Sequence, residues 1–307
     1  MHKQVYLSAP AYVLGEQQQP HGRAEGFDAV LQATGMPNFP ALWGWGDYYE
    51  TTDIDRLGQL AAQQTLAACG VAAADIDLVI FAAAHFTDSP DRLLPRLGAM
   101  LQTLGCSKAL IEGHTLNGCA GYLAAIKLAL ARVQSGELEH VLVIGLGSMP
   151  PGMQRFTPFA LFGDAACSCV ISSRARRAAF RLLDAHQQVD LQEMASGVSM
   201  DSKSALQVST LGHLLERNKL AKSDLRQVFS NNLFLPVKKM KDARLGFVGA
   251  QLFNDNISRI GHCHVCDSLI NLADYMAGRE PELANGDLLL LQSDGSGHSV
   301  CVLLGTV

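Results

Sequence analysis

Leu66-Ala67-Ala68-Cys69-Gly70-Val71-Ala72-Ala73-Ala74-Asp75-Ile76-Asp77-Leu78-Val79-Ile80 is the stretch on which the fold turns. It closes a helix-like run, turns at Gly70 and enters a wholly apolar segment over residues 78–84, which reads as a buried strand. The pattern returns later in the chain. Leu66, Val71, Asp75, Ile76, Val79 and Ile80 are matched by Leu215, Leu220, Asp224, Leu225, Val228 and Phe229, each 149 residues on. Val141-Leu142-Val143-Ile144 is matched by Leu288-Leu289-Leu290-Leu291 at an offset of 147. Self-similarity on this scale marks a duplicated α/β unit, not a short-period solenoid.

Outward from that stretch, strand-like and helix-like runs alternate. Residues 5–13 read as a strand, 55–69 as an amphipathic helix, 122–133 as a helix, and 141–146 and 165–172 as strands. Such an order implies buried sheets covered by helices. The two halves are expected to stack sheet against sheet about a pseudo-twofold axis. The helix at 122–133 and its counterpart near 268–277 would then lie between the layers. The polar, basic stretch 172–177 marks the boundary, so the halves are residues 1–172 and 173–307. Residues 15–49 carry Gln17-Gln18-Gln19, several Gly and Pro, and both Trp43 and Trp45, and read as a long ordered loop or cap.

Composition narrows the class. The 307 residues are 48% hydrophobic and 17% charged, which suits a large core and argues against disorder. A net charge of −5 gives no basic bias toward nucleic acid. No run of about 18 apolar residues suggests a membrane span. The opening Met1-His2-Lys3-Gln4-Val5-Tyr6-Leu7 is too short and polar for a signal peptide, and the eight Cys read as reduced thiols. A cytoplasmic protein is expected.

The segment His114-Thr115-Leu116-Asn117-Gly118-Cys119-Ala120-Gly121-Tyr122 runs from an extended stretch into an apolar helix. Unpaired N–H groups and the positive dipole end at a helix start favour thiolate, so Cys119 is a nucleophile candidate. The alternative is a buried, inert thiol. Cys119-Ala120-Gly121-Tyr122 and the later Ser135-Gly136-Glu137-Leu138-Glu139-His140-Val141-Leu142-Val143-Ile144-Gly145 resemble the β-ketoacyl-ACP synthase III family. Leu161-Phe162-Gly163-Asp164-Ala165-Ala166, Asn285-Gly286-Asp287-Leu288-Leu289-Leu290 and Asp294-Gly295-Ser296-Gly297 extend the resemblance, in order, from about residue 60 to the end. It implies a thiolase-like αβαβα sandwich of two pseudo-repeated halves, with Cys119 as the acyl-accepting residue. It also implies a homodimer.

The pattern breaks at chemistry-bearing positions. Condensing members use a His in a His-Gln-Ala-Asn stretch and an Asn in a Gly-Asn-Thr-Ser stretch. Here Ser230-Asn231-Asn232 follows the strand 225–229, and Gly261-His262-Cys263-His264 stands at the second place. These departures put carbon–carbon bond formation in doubt. By resemblance to the family's non-elongating acyltransferase branch, Cys119, His262 and Asp267 form a nucleophile–base–orienter set. The plainer alternative is that His262 packs and Asp267 caps the next helix. The N–H groups of Cys119 and Ser296 are the oxyanion-hole candidates. His85, Phe86, Ser230, Asn231 and Asn232 are candidate pocket residues.

Smaller signals compete. His262-Cys263-His264-Val265-Cys266 has the look of half a zinc site, but no second pair stands at finger-like spacing, and no metal is expected. Cys167 and Cys169 would share one face of their strand. Lys238, Lys239, Lys241 and Arg244 form a basic run where related synthases meet an acidic carrier protein. The Asp-Glu-Trp…Arg-Thr-Gly-Ile segment of CoA-using relatives does not occur, which favours a carrier-protein donor. The expected activity is acyl transfer from a carrier-protein or CoA thioester to an oxygen or nitrogen acceptor, in secondary metabolism. No cofactor is needed beyond the pantetheine thioester substrate. The alternatives are a decarboxylating condensing enzyme with an altered site, and a non-catalytic partner subunit of a ketosynthase complex.

Overall fold

The computed structural model describes residues 3–86, 88–174, 179–196, 200–278 and 283–307. Its strands are β1 (Tyr6–Leu14), β2 (Gln17–Pro20), β3 (Asp47–Glu50), β4 (Leu78–Ala83), β5 (Leu110–His114) and β6 (His140–Gly147). They continue as β7 (Ala165–Ser172), β8 (Ala179–Val189), β9 (Leu225–Phe229), β10 (Leu288–Gly295) and β11 (His298–Thr306). Nine of them pair in the order β5-β4-β6-β7-β1-β8-β11-β10-β9.

That order contains the repeat. Read from the middle, β1, β7, β6 and β4 are answered by β8, β11, β10 and β9. Helix Ile54–Cys69 is answered by Met200–Asn218, and Gly121–Ser135 by Asp267–Gly278. The expected stacking is modified at one place. The halves are hydrogen-bonded where Tyr6, Leu7 and Ser8 pair with Arg181, Phe180 and Ala179, so one sheet folds over instead of two sheets merely facing each other. The expected boundary at 172–177 lies partly outside the described residues.

Side-chain alternation shows the five layers. In a strand, successive side chains leave opposite faces. Leu78, Ile80 and Ala82 enter the central core with Leu289, Leu291, Val300 and Val302, around helices Gly121–Ser135 and Asp267–Gly278. Their neighbours Val79 and Phe81 pack outward against helices Ile54–Cys69 and Pro90–Leu104. Leu290, Cys301 and Leu303 pack outward on the other side, against Leu211, Leu214 and Leu245. Strands buried on both faces must be apolar throughout, which is why β4 and β6 read as continuous hydrophobic runs.

Residues 15–49 form more than a loop. β2 pairs with β3, and helices Phe27–Thr34 and Pro40–Trp43 lie between them. Phe27, Trp45, Phe156 and Phe234 meet edge-on or tilted, with ring centroids 4.9–5.7 Å apart. Aromatic burial, not regular periodicity, organises this cap. Among the described residues no helix is long and apolar enough to cross a membrane.

Candidate active site

The central helices point their N-terminal ends at one place. Gly118–Ala120 is a short 3₁₀ turn leading directly into helix Gly121–Ser135. His264–Cys266 does the same for helix Asp267–Gly278. The repeat thus delivers Cys119 and the 262–267 segment to facing positions.

Cys119 Sγ lies 3.2 Å from His262 Nε2. His262 Nδ1 bonds Asp267 Oδ2 in a very short contact. Asp267 is itself fixed, since the backbone N–H of Cys263 (2.6 Å) and of Asn232 (2.7 Å) donate to its two oxygens. Both His262 and Asp267 are buried. Burial alone would lower the imidazole's affinity for a proton. The Asp267 carboxylate and the Cys119 sulfur more than offset this, and His262 titrates well above its ordinary value. The arrangement favours imidazolium beside the sulfur.

The Gly-rich segment is the hairpin turn between β10 and β11. Gly295 pairs with His298, and Ser296 and Gly297 take φ of 50° and 75° at the tip. Two positive φ angles make a type I′ turn, whose tip N–H groups lie outside the ladder. A Cβ built on Gly295 would stand 2.8 Å from Cys119 N, and one on Gly118 would stand 2.7 Å from Ser296 Oγ. Only glycine permits this approach, which sets the Ser296 turn against the Cys119 backbone.

The other expected residues divide. Ser230, Asn231 and Asn232 are buried, and the two Asn brace the site. Asn231 Nδ2 donates to Ser293 Oγ (3.1 Å), and Ser293 Oγ donates to the Cys119 carbonyl (2.8 Å). Asn232 Nδ2 donates to the Gly261 carbonyl at 2.9 Å. His85 and Phe86 line a separate cavity of about 100 Å³ with Leu146, Ser148 and Met149. His264 lies between it and the site, its ring 6.3 Å from His85 and 5.9 Å from His262.

The basic run needs correction. Lys238 and Lys241 are buried, because each is paired with a carboxylate, Asp242 and Asp294 respectively. Lys239 and Arg244 are exposed, so only they remain on an accessible face. The Cys263 and Cys266 thiols donate to the Ile260 and Ala165 carbonyls, in different directions. Among the described residues no group of three or more His, Cys, Asp or Glu could hold a metal ion. Cys167 and Cys169 do share the inner face of β7.

Several contributors escaped sequence reading. Phe162 packs on both His262 and His264, at 4.9 Å between ring centroids. Asn271 Nδ2 bonds the Ser230 carbonyl and Asn232 Oδ1. Asn271 stands four residues after Asp267, which puts both on one helix face, and that spacing was the available signal. Ser293 has no local signature.

Known proteins resemble this chain in sequence and in fold. Residues 115–190 match the family model described as 3-oxoacyl-[acyl-carrier-protein (ACP)] synthase III. A β-ketoacyl-[acyl-carrier-protein] synthase III 2 of Vibrio vulnificus is 32% identical over 164 residues, 52% of this chain. The match spans only 41% of that relative's own length. A synthase III of Thiobacillus denitrificans is 25% identical over 270 residues, 79% of this chain and 81% of the relative. Among solved structures, ChlB3, described as an acyltransferase, superposes with a TM-score of 0.82 at 18% identity, covering 99% of this chain and 98% of its own. OleA of Xanthomonas campestris gives 0.80 at 13% identity, covering 99% and 98%. Together they show a thiolase-like fold, with similarity to the β-ketoacyl-ACP synthase III family over part of the chain. In this chain His262 and Asp267 stand in line behind Cys119, and Ser230 directly follows β9.

Proposed function

We propose that the protein is an acyltransferase that carries an acyl group on Cys119 and passes it to an oxygen or nitrogen nucleophile. The observation that carries this reading is the unbroken line from Cys119 Sγ through His262 to Asp267. Such a line generates a thiolate and keeps a base beside it.

In the first half-reaction the Cys119 thiolate attacks the thioester carbonyl. The bond to the pantetheine sulfur breaks, and the leaving thiolate takes the proton held on His262. In the second, His262 accepts the proton of the acceptor hydroxyl or amine as that group attacks the Cys119 acyl carbonyl. The Cys119–acyl bond then breaks and the thiolate–imidazolium pair returns. Asp267 fixes Nδ1 as the protonated nitrogen, so Nε2 faces the sulfur. The N–H groups of Cys119 and Ser296 receive the oxyanion in both steps. No cofactor enters this scheme.

Condensation requires donors free to stabilise a thioester enolate. The amides of Asn231 and Asn232 are occupied by Ser293 and the Gly261 carbonyl. This favours transfer over carbon–carbon bond formation. Acylated protein offered a malonyl thioester and, separately, a panel of alcohols and amines should yield esters or amides. A β-ketoacyl product with release of CO₂ would replace this reading with that of a condensing enzyme. The donor is a pantetheine thioester, on a carrier protein or on CoA. Exposed Lys239 and Arg244 are the residues left to meet an acidic carrier.

A further inference from the structure

The wall beside the nucleophile is polar where an alkyl chain would want hydrocarbon. Gly295 and His298 stand directly opposite each other in the β10–β11 hairpin, so their side-chain positions leave the sheet on the same face. The Gly295 position points at Cys119 N. His298 shares the alternation of Val300 and Val302 along β11, both of which lie in the central core, and it bonds Asn117 two residues before Cys119.

The His298 tautomer is set by its partners. Asn117 Nδ2 lies 3.0 Å from His298 Nδ1, and Gln187 Nε2 lies 3.5 Å from the same atom. An amide NH₂ only donates, so Nδ1 accepts and the proton resides on Nε2. Burial lowers the pKa of His298, which keeps the ring neutral. That Nε2–H is buried and has no partner. His114 lies beside Asn117 and His298, its pKa also lowered by burial, and its Nε2 is likewise buried without a partner. Orphaned buried ring nitrogens are costly, and a bound polar group would relieve them.

We infer that His298, held by Asn117 and Gln187, donates a hydrogen bond to an oxygen on the acyl group, so the protein selects hydroxy- or keto-acyl thioesters over plain alkanoyl ones. This rests on the acyl-enzyme reading and names the substrate class of that site.

The test compares butyryl, 3-hydroxybutyryl and acetoacetyl pantetheine thioesters of equal chain length, with mass gain on Cys119 as the readout. Wild type should load the oxygen-bearing groups about tenfold faster than butyryl, the scale of one buried hydrogen bond. His298→Leu should collapse that ratio toward one, and His298→Gln, which keeps a donor, should restore part of it. Thermal melting and the rate of Cys119 modification by methyl methanethiosulfonate check that the fold and nucleophile survive. Equal loading of all three by wild type, or an unchanged ratio in His298→Leu, would overturn the inference. No loading of wild type by any donor would instead remove the acyl-enzyme reading, and this assignment with it.

Discussion

Asp267 does three things with two oxygens. It accepts from Cys263 N and Asn232 N and binds His262 Nδ1. Asp267→Asn would keep the volume but present an NH₂ to Nδ1 and turn the imidazole to the wrong tautomer. Acylation of Cys119 should fall about a hundredfold or more, with little loss of folded protein, as read by stopped-flow loading and circular dichroism. A pH effect follows from His262. Burial lowers its affinity for a proton, but Asp267 and Cys119 raise it further, so the folded chain holds that proton more tightly than the unfolded one. Its contribution to stability is full below about pH 6.5 and is lost as pH rises through the elevated folded value. The melting-temperature gap between wild type and His262→Gln should therefore be widest near about pH 6 and narrow steadily into the alkaline range. The triad was legible in the sequence because Cys119, His262 and Asp267 sit in motifs that resemble a family. Ser293 and Asn271 were not legible. Their partners, the Cys119 carbonyl and the Ser230 carbonyl, are backbone atoms far away in sequence.

Among elements, the hairpin turn at Ser296 lies hard against the nucleophile's backbone. Gly295→Ala places a methyl 2.8 Å from Cys119 N, a backbone atom that cannot swing aside. The turn or the nucleophile must move, and loading should fall about a hundredfold, the cost of one lost oxyanion donor. Gly22→Ala, with nothing within 4 Å of its Cβ, should leave the loading rate as it was. The strands and helices that were read from the sequence agree to within two residues, since β7 and β9 begin and end where apolar runs do, whereas β8, β11 and helix Met200–Asn218 were not read. The segment 15–49 was not. Its helices are short and its order comes from rings that meet Phe156 and Phe234, more than a hundred residues on. The helix Leu235–Leu245 misled for a related reason. Its Lys residues look like a solvated face until Asp242 and Asp294 are seen to bury two of them.

For the molecule as a whole, that buried charge is a stability device with a checkable sign. Lys238 Nζ lies 2.5 Å from Asp242 Oδ2, and both side chains are almost fully buried. Asp242→Leu alone leaves an ammonium without its counter-ion and should cost about 3–5 kcal/mol. Lys238→Met combined with Asp242→Leu should recover most of that loss in urea titrations, because packing replaces the pair. If the double variant were as unstable as the single, the pair would be contributing more than its own desolvation. The duplicated halves serve function at this scale. Because β1 and β8 join at the fold's centre, the two central helices present their N-terminal ends to each other, and Cys119 from one half meets His262 from the other. Neither half carries the full set.

The central claim is that Cys119 becomes acylated with His262 as its base. Intact-protein mass spectrometry after incubation with acyl-carrier-protein and acyl-CoA thioesters tests it most directly, on wild type, Cys119→Ala and His262→Ala. The account predicts a gain of one acyl group on wild type, none on Cys119→Ala, and a markedly slower gain on His262→Ala. Acylation that persists in Cys119→Ala, or no acylation of wild type by any donor, would contradict it.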